Sequence, residues 1–203
     1  MSLQALIING TLKPSPATSN TEALADVLAT ALVAQGADVE RVRAADHDIR
    51  PGVTSDEGGG DEWPAIRERI LAADILVLAT PTWLGQPSSV IKRVMERMDA
   101  LISETDDDGL PVAYNRVAGF VVTGNEDGAH HVIAELAQGV IDIGFSVPGQ
   151  AWTYWNRGPG PGPSYLETDE GRDWSASTAR AAAANLATMA RALAATPLGP
   201  PPD

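Results

Sequence analysis

The chain has 203 residues, 44% of them hydrophobic, and 27 acidic against 14 basic side chains, giving a formal net charge of −13. That is enough apolar material for one sizeable core, while the acidity argues against a phosphate-backbone partner and reads first as a solvated surface, second as a docking face for a basic redox partner. Zero cysteines exclude disulfides, thiolate catalysis and Cys-ligated metal, and neither a run of roughly 20 apolar residues nor a signal-peptide layout is present, so no membrane insertion and a cytoplasmic location are expected.

Residues 3 to 9, LQALIIN, form an apolar run suited to a buried strand. A long polar stretch broken by two prolines follows, NGTLKPSPATSNT, before Leu24, Val27, Leu28, Ala31 and Leu32 recur at helical spacing. Ser19 and Glu22 form a capping-box pair, and Gly36 supplies the stop. Residues 38 to 42 alternate as a half-exposed strand does. The turn-rich segment AADHDIRPGVTSDEGGGDE precedes a short amphipathic helix marked by Trp63, Ile66 and Ile70.

A second fully apolar strand, DILVLAT, ends in PTWLGQP, and Val90, Ile91, Val94, Met95 and Met98 mark the next helix. RVAGFVVTG is a further strand, and Val132, Ile133, Leu136, Val140 and Ile141 follow at helical spacing. A final short strand is expected after GFSVPG, then the segment AWTYWNRGPGPGPSY, too rich in Pro and Gly for a helix, then an Ala-rich helix over 173 to 195. Strands alternating with helices predict an α/β protein, a three-layer α/β/α sandwich with a five-stranded parallel sheet. The expected organisation is a single domain over 1–196, with an aromatic excursion at 151–172 and a Pro-rich tail at 197–203.

Open parallel sheets bind ligands beyond the carboxyl ends of their strands, where strand order reverses. With the order 2-1-3-4-5, residues 10–21, 80–87 and 123–128 converge on one crevice. At the first helix, Thr11, Ser19, Asn20 and Thr21 surround free backbone N–H groups, and Lys13 stands nearby; phosphate binding and simple capping by Ser19 are both open. In TPTWLGQP, Trp83 is either a wall for a planar ligand or a packing residue. TGNEDGAHH fits a ligand loop or a turn capped by Asp127. His130 and His131 are consecutive and diverge on a helix, the acidic runs lack calcium-loop spacing, and no G-x-S-x-G elbow exists, so no metal site and no hydrolase nucleophile is assigned.

Taken in order, NGTLKPSPATSNT, TPTWLGQPSSVIKRVMER and TGNEDGAHH resemble the flavodoxin-like superfamily, and more closely its NADPH-dependent FMN reductase branch. The resemblance implies that Thr11, Lys13, Ser19, Asn20 and Thr21 meet the FMN phosphate. It implies that Pro81, Thr82, Trp83, Leu84 and Gly85 contact the ribityl chain and ring, and that Thr123, Gly124, Asn125, Glu126, Asp127 and Gly128 border the ring. Many relatives carry Arg where Lys13 stands. The implied activity is FMN-dependent oxidation of NAD(P)H with a quinone, free flavin or similar small acceptor; the alternative is a flavodoxin-type electron carrier without nicotinamide turnover. No side chain is assigned as catalytic, because the flavin carries the chemistry. The clustered aromatics Trp152, Tyr154, Trp155 and Tyr165, or the helix over 87–102, are expected to form a homodimer or homotetramer contact; the alternatives for the aromatics are that they shape one side of the flavin pocket or fold back over their own sheet edge.

Overall fold

Strands of a parallel sheet covered on both sides are apolar on both faces, and the burial of this chain follows that rule. The computed structural model describes residues 2–158 and 162–200. Its strands are β1 (Leu3–Asn9), β2 (Ala37–Arg43), β3 (Ile75–Trp83), β4 (Gln86–Pro87), β5 (Val117–Gly124) and β6 (Trp152–Asn156). The helices are α1 (Asn20–Ala34), α2 (Trp63–Ala72), α3 (Ser89–Met98), α4 (Ala129–Ile143) and α5 (Arg172–Ala195). The sheet order is β2-β1-β3-β5-β6, all parallel, with β4 pairing antiparallel onto the end of β3. Among the parallel strands this is the expected 2-1-3-4-5 arrangement of a flavodoxin-like α/β sandwich, and β4 is an addition the sequence reading did not contain.

Alternate residues of each central strand go to opposite cores. Leu6, Ile8, Leu76, Leu78, Phe120 and Val122 pack with α2, α3 and α4, whereas Ala5, Ile7, Ile75, Val77 and Val121 pack with α1 and α5. The buried face of α5 is built largely of small residues, Ala179, Ala182, Ala183, Ala187 and Ala190, around Leu186. A Cβ on Gly119 would meet the Leu186 side chain at 2.8 Å, so this glycine sets how closely α5 approaches the sheet.

Two segments gain detail that the sequence did not carry. The segment read as an aromatic excursion opens with β6, the edge strand, in which Thr153 and Trp155 are buried and Trp152, Tyr154 and Asn156 half-buried. Valine-poor but rich in Trp, Tyr and Thr, it carries the residue types that fit a pleated surface. Tyr165 is buried as well, so the aromatics cover their own sheet edge and are not a free contact patch. The turn-rich segment before α2, in turn, is anchored by the ion pair Arg97–Asp61 (2.7 Å), whose side chains are both 0% exposed.

Candidate functional site

The carboxyl ends of β1, β3 and β5 lie side by side, because Asn9 registers with Ala79 and Pro81 with Thr123. Gly10 leaves β1 against α3: its N–H donates to the Ala79 carbonyl (2.7 Å), and a Cβ there would meet Ile91 Cβ at 2.6 Å. Ser88 ties the same corner together. Its hydroxyl donates to the Gly10 carbonyl (2.5 Å) and accepts from the Ile91 N–H (3.1 Å), capping α3.

The loop from Thr11 to Ser19 is held from outside. Asp46 accepts from the Ser15 hydroxyl (2.7 Å) and the Ser15 N–H (2.6 Å), and these two bonds hold its carboxyl below the usual range. The Arg43 guanidinium donates to the carbonyls of Ala17 (2.8 Å) and Lys13 (3.4 Å) and pairs with the Glu22 carboxylate. Lys13 bends back, its Nζ donating to the Thr18 carbonyl (3.2 Å). Ser19 caps α1 by accepting from the Glu22 N–H (3.1 Å), but the reciprocal half of the capping box is absent among the described residues, since Glu22 faces Arg43. The backbone N–H groups of Ser19, Asn20 and Thr21 have no acceptor among the described residues.

Two side chains read as phosphate donors are partly committed. Buried Thr21 shares a hydrogen bond with the Thr123 hydroxyl (2.7 Å), joining the start of α1 to the end of β5. Asn20 Oδ1 accepts from the Leu166 N–H (3.0 Å), which leaves its amide NH₂ as the remaining donor group. The second loop is a hairpin in which Leu84 (φ 53°) and Gly85 (φ 73°) both take the left-handed conformation, as a tight two-residue β4 connection requires. Leu84 is 91% exposed and Trp83 half exposed at its tip. The tip rests on the third loop, since a Cβ on Gly128 would meet Gly85 Cα at 2.8 Å. Gly128, not Asp127, is the N-cap residue of α4, and no side chain caps it.

A crevice of about 210 Å³ opens between these loops. Thr11, Lys13, Ser19, Asn20, Thr21, Pro81, Thr82, Trp83, Thr123, Gly124 and Asn125 line it, as the sequence grouped them. Leu84, Gly85, Glu126, Asp127 and Gly128 do not; they form the hairpin tip and the turn behind it. Trp155 and Tyr165 line it too, one of the placements open to the aromatic segment, whereas Leu12 and Ser164 line it without having been anticipated as site residues. Trp155 is positioned by its Nε1–H donating to the Glu170 carbonyl (2.7 Å) and by an edge-on contact with Tyr165 (5.7 Å), over which Arg172 lies at 5.2 Å. Burial alternates along WTYWN and turns Trp155 inward, although its residue types do not alternate; Ser164 and Tyr165 arrive through long-range packing.

The residues suit a flavin phosphate. Amides at a helix N-terminus offer an anion donors and a partial positive charge, and the Thr82 hydroxyl, buried on the crevice wall, has no partner among the described residues. The half-exposed indole of Trp83 offers a flat apolar surface at the mouth.

Sequence comparison agrees with this geometry: residues 3–159 match the family described as NADPH-dependent FMN reductase, and the chain belongs to that family, whose cofactors are FMN and NAD(P)H. It is 37% identical to the 8-demethyl-8-aminoriboflavin-5'-phosphate synthase of Streptomyces davaonensis, over 97% of this chain and 80% of that protein. It is 44% identical to a Mycobacterium bovis protein described as divalent metal cation transporter MntH, over 83% of this chain but only 25% of that protein, so it spans about a quarter of that relative's length. The crystal structure of RosB with bound 8-demethyl-8-formylriboflavin-5'-phosphate superposes with a TM-score of 0.90 at 36% identity, covering 97% of this chain and 82% of RosB.

Proposed function

We propose that the chain is an FMN-dependent NAD(P)H oxidoreductase that passes electrons to a quinone, free flavin or similar small acceptor. The observation that carries this reading is one crevice lined both by Ser19, Asn20 and Thr21, whose amides have no acceptor among the described residues, and by the Thr82 hydroxyl, likewise without a partner among them, with the Trp83 ring beside it. In this reading the α1 amides and the Asn20 NH₂ hold the phosphate, Thr82 donates to or accepts from the polar part of the flavin, and Trp83 faces the ring. The volume, about 210 Å³, is below the roughly 300–1,000 Å³ of a pocket that encloses a drug-sized ligand, so the ring system reaches the mouth where a second planar molecule has access. The chemistry FMN supplies when bound is hydride acceptance from nicotinamide and electron delivery to the acceptor. Trp155 and Tyr165 exclude water from one side wall. No side chain is required as an acid or base. Purification, identification of the released flavin by chromatography, and NAD(P)H oxidation with and without added quinone or riboflavin test the reading. An apoprotein that does not take up FMN, or no acceptor-dependent turnover, overturns it.

A second reading has a specific support, the synthase and the RosB structure, 37% and 36% identical to this chain, whose names concern 8-substituted flavin phosphates. Here the flavin phosphate in the same crevice is a substrate altered on its ring. Mass spectrometry of the flavin before and after turnover separates the two: a cofactor returns with its mass unchanged.

A further inference from the structure

Glu22 is the third helical residue of α1 and sits where a capping box would turn its carboxylate back onto the N–H of Ser19. Such closure would remove one of the free amides at this helix terminus and place a negative charge beside any bound anion. Neither occurs. Arg43, at the last position of β2 with a side chain only 8% exposed, holds the Glu22 carboxylate, while its second terminal nitrogen holds the carbonyls of Lys13 and Ala17. Arg43 is not among the residues lining the crevice.

We infer that Arg43 is a positioning residue for the phosphate of the bound flavin: by diverting and neutralising Glu22 it keeps the Ser19 amide free and the helix terminus electropositive. This rests on the reading that the phosphate lies at the start of α1. The device compensates for a loop whose own cation, Lys13, is turned onto the Thr18 carbonyl. An anion at a helix N-terminus gains from the N–H donors and the dipole together, and a neighbouring unpaired carboxylate opposes both. Because a flavin phosphate passes from monoanion to dianion near pH 6, the opposition grows as pH rises through that value.

The test begins with apoprotein and no ligand. In wild type the Ser19 amide proton exchanges rapidly; in Arg43→Met, Glu22 closes on it and slows exchange about tenfold, and Glu22→Ala with Arg43→Met restores rapid exchange. Rapid exchange in R43M overturns the inference whatever the site binds. The second arm measures FMN and riboflavin affinities from pH 5 to 7.5. R43M should lose about tenfold in FMN affinity, most at the upper end, with riboflavin changed less than about twofold, and the double variant should recover. Arg43→Lys, which keeps the cation on Glu22 but cannot span both carbonyls, should retain the FMN preference. If R43M does not fold, this variant carries the test, and loss of the preference in R43K assigns Arg43 to loop clamping alone and overturns the inference. Equal affinity of wild type for FMN and riboflavin would instead remove the phosphate from this loop, leaving the exchange result to stand by itself.

Discussion

Asp61 and Arg97 show what one pair of side chains can decide. Burial pushes the Asp61 pKa up, yet the Glu57, Trp63 and Arg50 N–H groups and the Arg97 guanidinium together outweigh it and hold the carboxyl at about 2. Arg97 also donates to the Arg50 and Thr54 carbonyls and lies 5.6 Å from the Trp63 ring, so the turn-rich segment before α2 is fastened to α3 by one guanidinium. Arg97→Met should therefore destabilise by about 3–5 kcal/mol, because a buried carboxylate is left unpaired. Denaturant unfolding of wild type and variant measures it, and a loss under about 1 kcal/mol would show the segment held by other means. The depressed pKa also fixes a pH window. Since the folded value lies below the unfolded value near 3.8, the stabilisation is fully present above about pH 4 and is lost as pH falls toward 2. The shift corresponds to roughly 2 kcal/mol, and Asp61→Asn should flatten stability across that interval.

At the scale of elements, the central strands were legible because a sheet covered on both faces demands continuous apolar runs, and LQALIIN, DILVLAT and RVAGFVVTG are such runs. The start of α1 was legible from its Ser19 cap and its end from Gly36, which takes a left-handed φ of 82°, whereas the cap read at Asp127 falls on Gly128. The crevice was legible as far as Thr11, Ser19, Thr82 and Thr123 follow strand ends in sequence. Ser164 was not, and Tyr165 only as one alternative among several, since they reach the crevice through contacts across the fold, Leu166 to Asn20 and Tyr165 to Trp155. Nor was the use of Glu22, which depends on where β2 delivers Arg43. The same contacts predict behaviour. Asn20→Ala removes the acceptor for the Leu166 N–H, and limited proteolysis should cut between 162 and 168 faster than in wild type, with the α5 helix intact. An unchanged cleavage rate would mean that the Ser164–Glu167 capping box holds the turn unaided.

Trp152 and Trp155 extend this argument to assembly. As parts of β6, they should report on stability: a Trp152→Ala, Trp155→Ala variant is expected to lose at least about 3 kcal/mol, the cost of emptying a buried indole site, and to release bound flavin as the Trp155 wall goes. We propose that any homodimer or homotetramer forms through surfaces that remain apolar and exposed, such as the Trp83–Leu84 tip or the Val53–Ile102 side of α3. Sedimentation of a Leu84→Ser variant, with its folding checked by circular dichroism, tests the first. A wild type monomeric at micromolar concentration rejects both.

The whole molecule carries a formal net charge of −13, and among the residues lining the crevice Lys13 alone carries a full charge. NAD(P)H is itself an anion. Approach to the mouth is thus opposed at long range by the summed field while little nearby cationic charge draws the cofactor in, the reverse of an electrostatically steered enzyme. Screening relieves this: the Debye length shrinks from about 30 Å at 0.01 M to about 8 Å at 0.15 M, so kcat/KM for NAD(P)H should rise several-fold across that range while kcat stays constant. The rise should be steeper for NADPH than for NADH, since the additional phosphate adds charge that meets the same repulsion. Arg157 lies beside the crevice wall at the end of β6 but is paired with Glu170, which removes it as a free attractor. Steady-state kinetics in a salt of non-binding ions checks the expectation. A kcat/KM that falls with salt would place a cationic docking patch at the mouth, and Arg157→Gln would then be the variant that abolishes the fall.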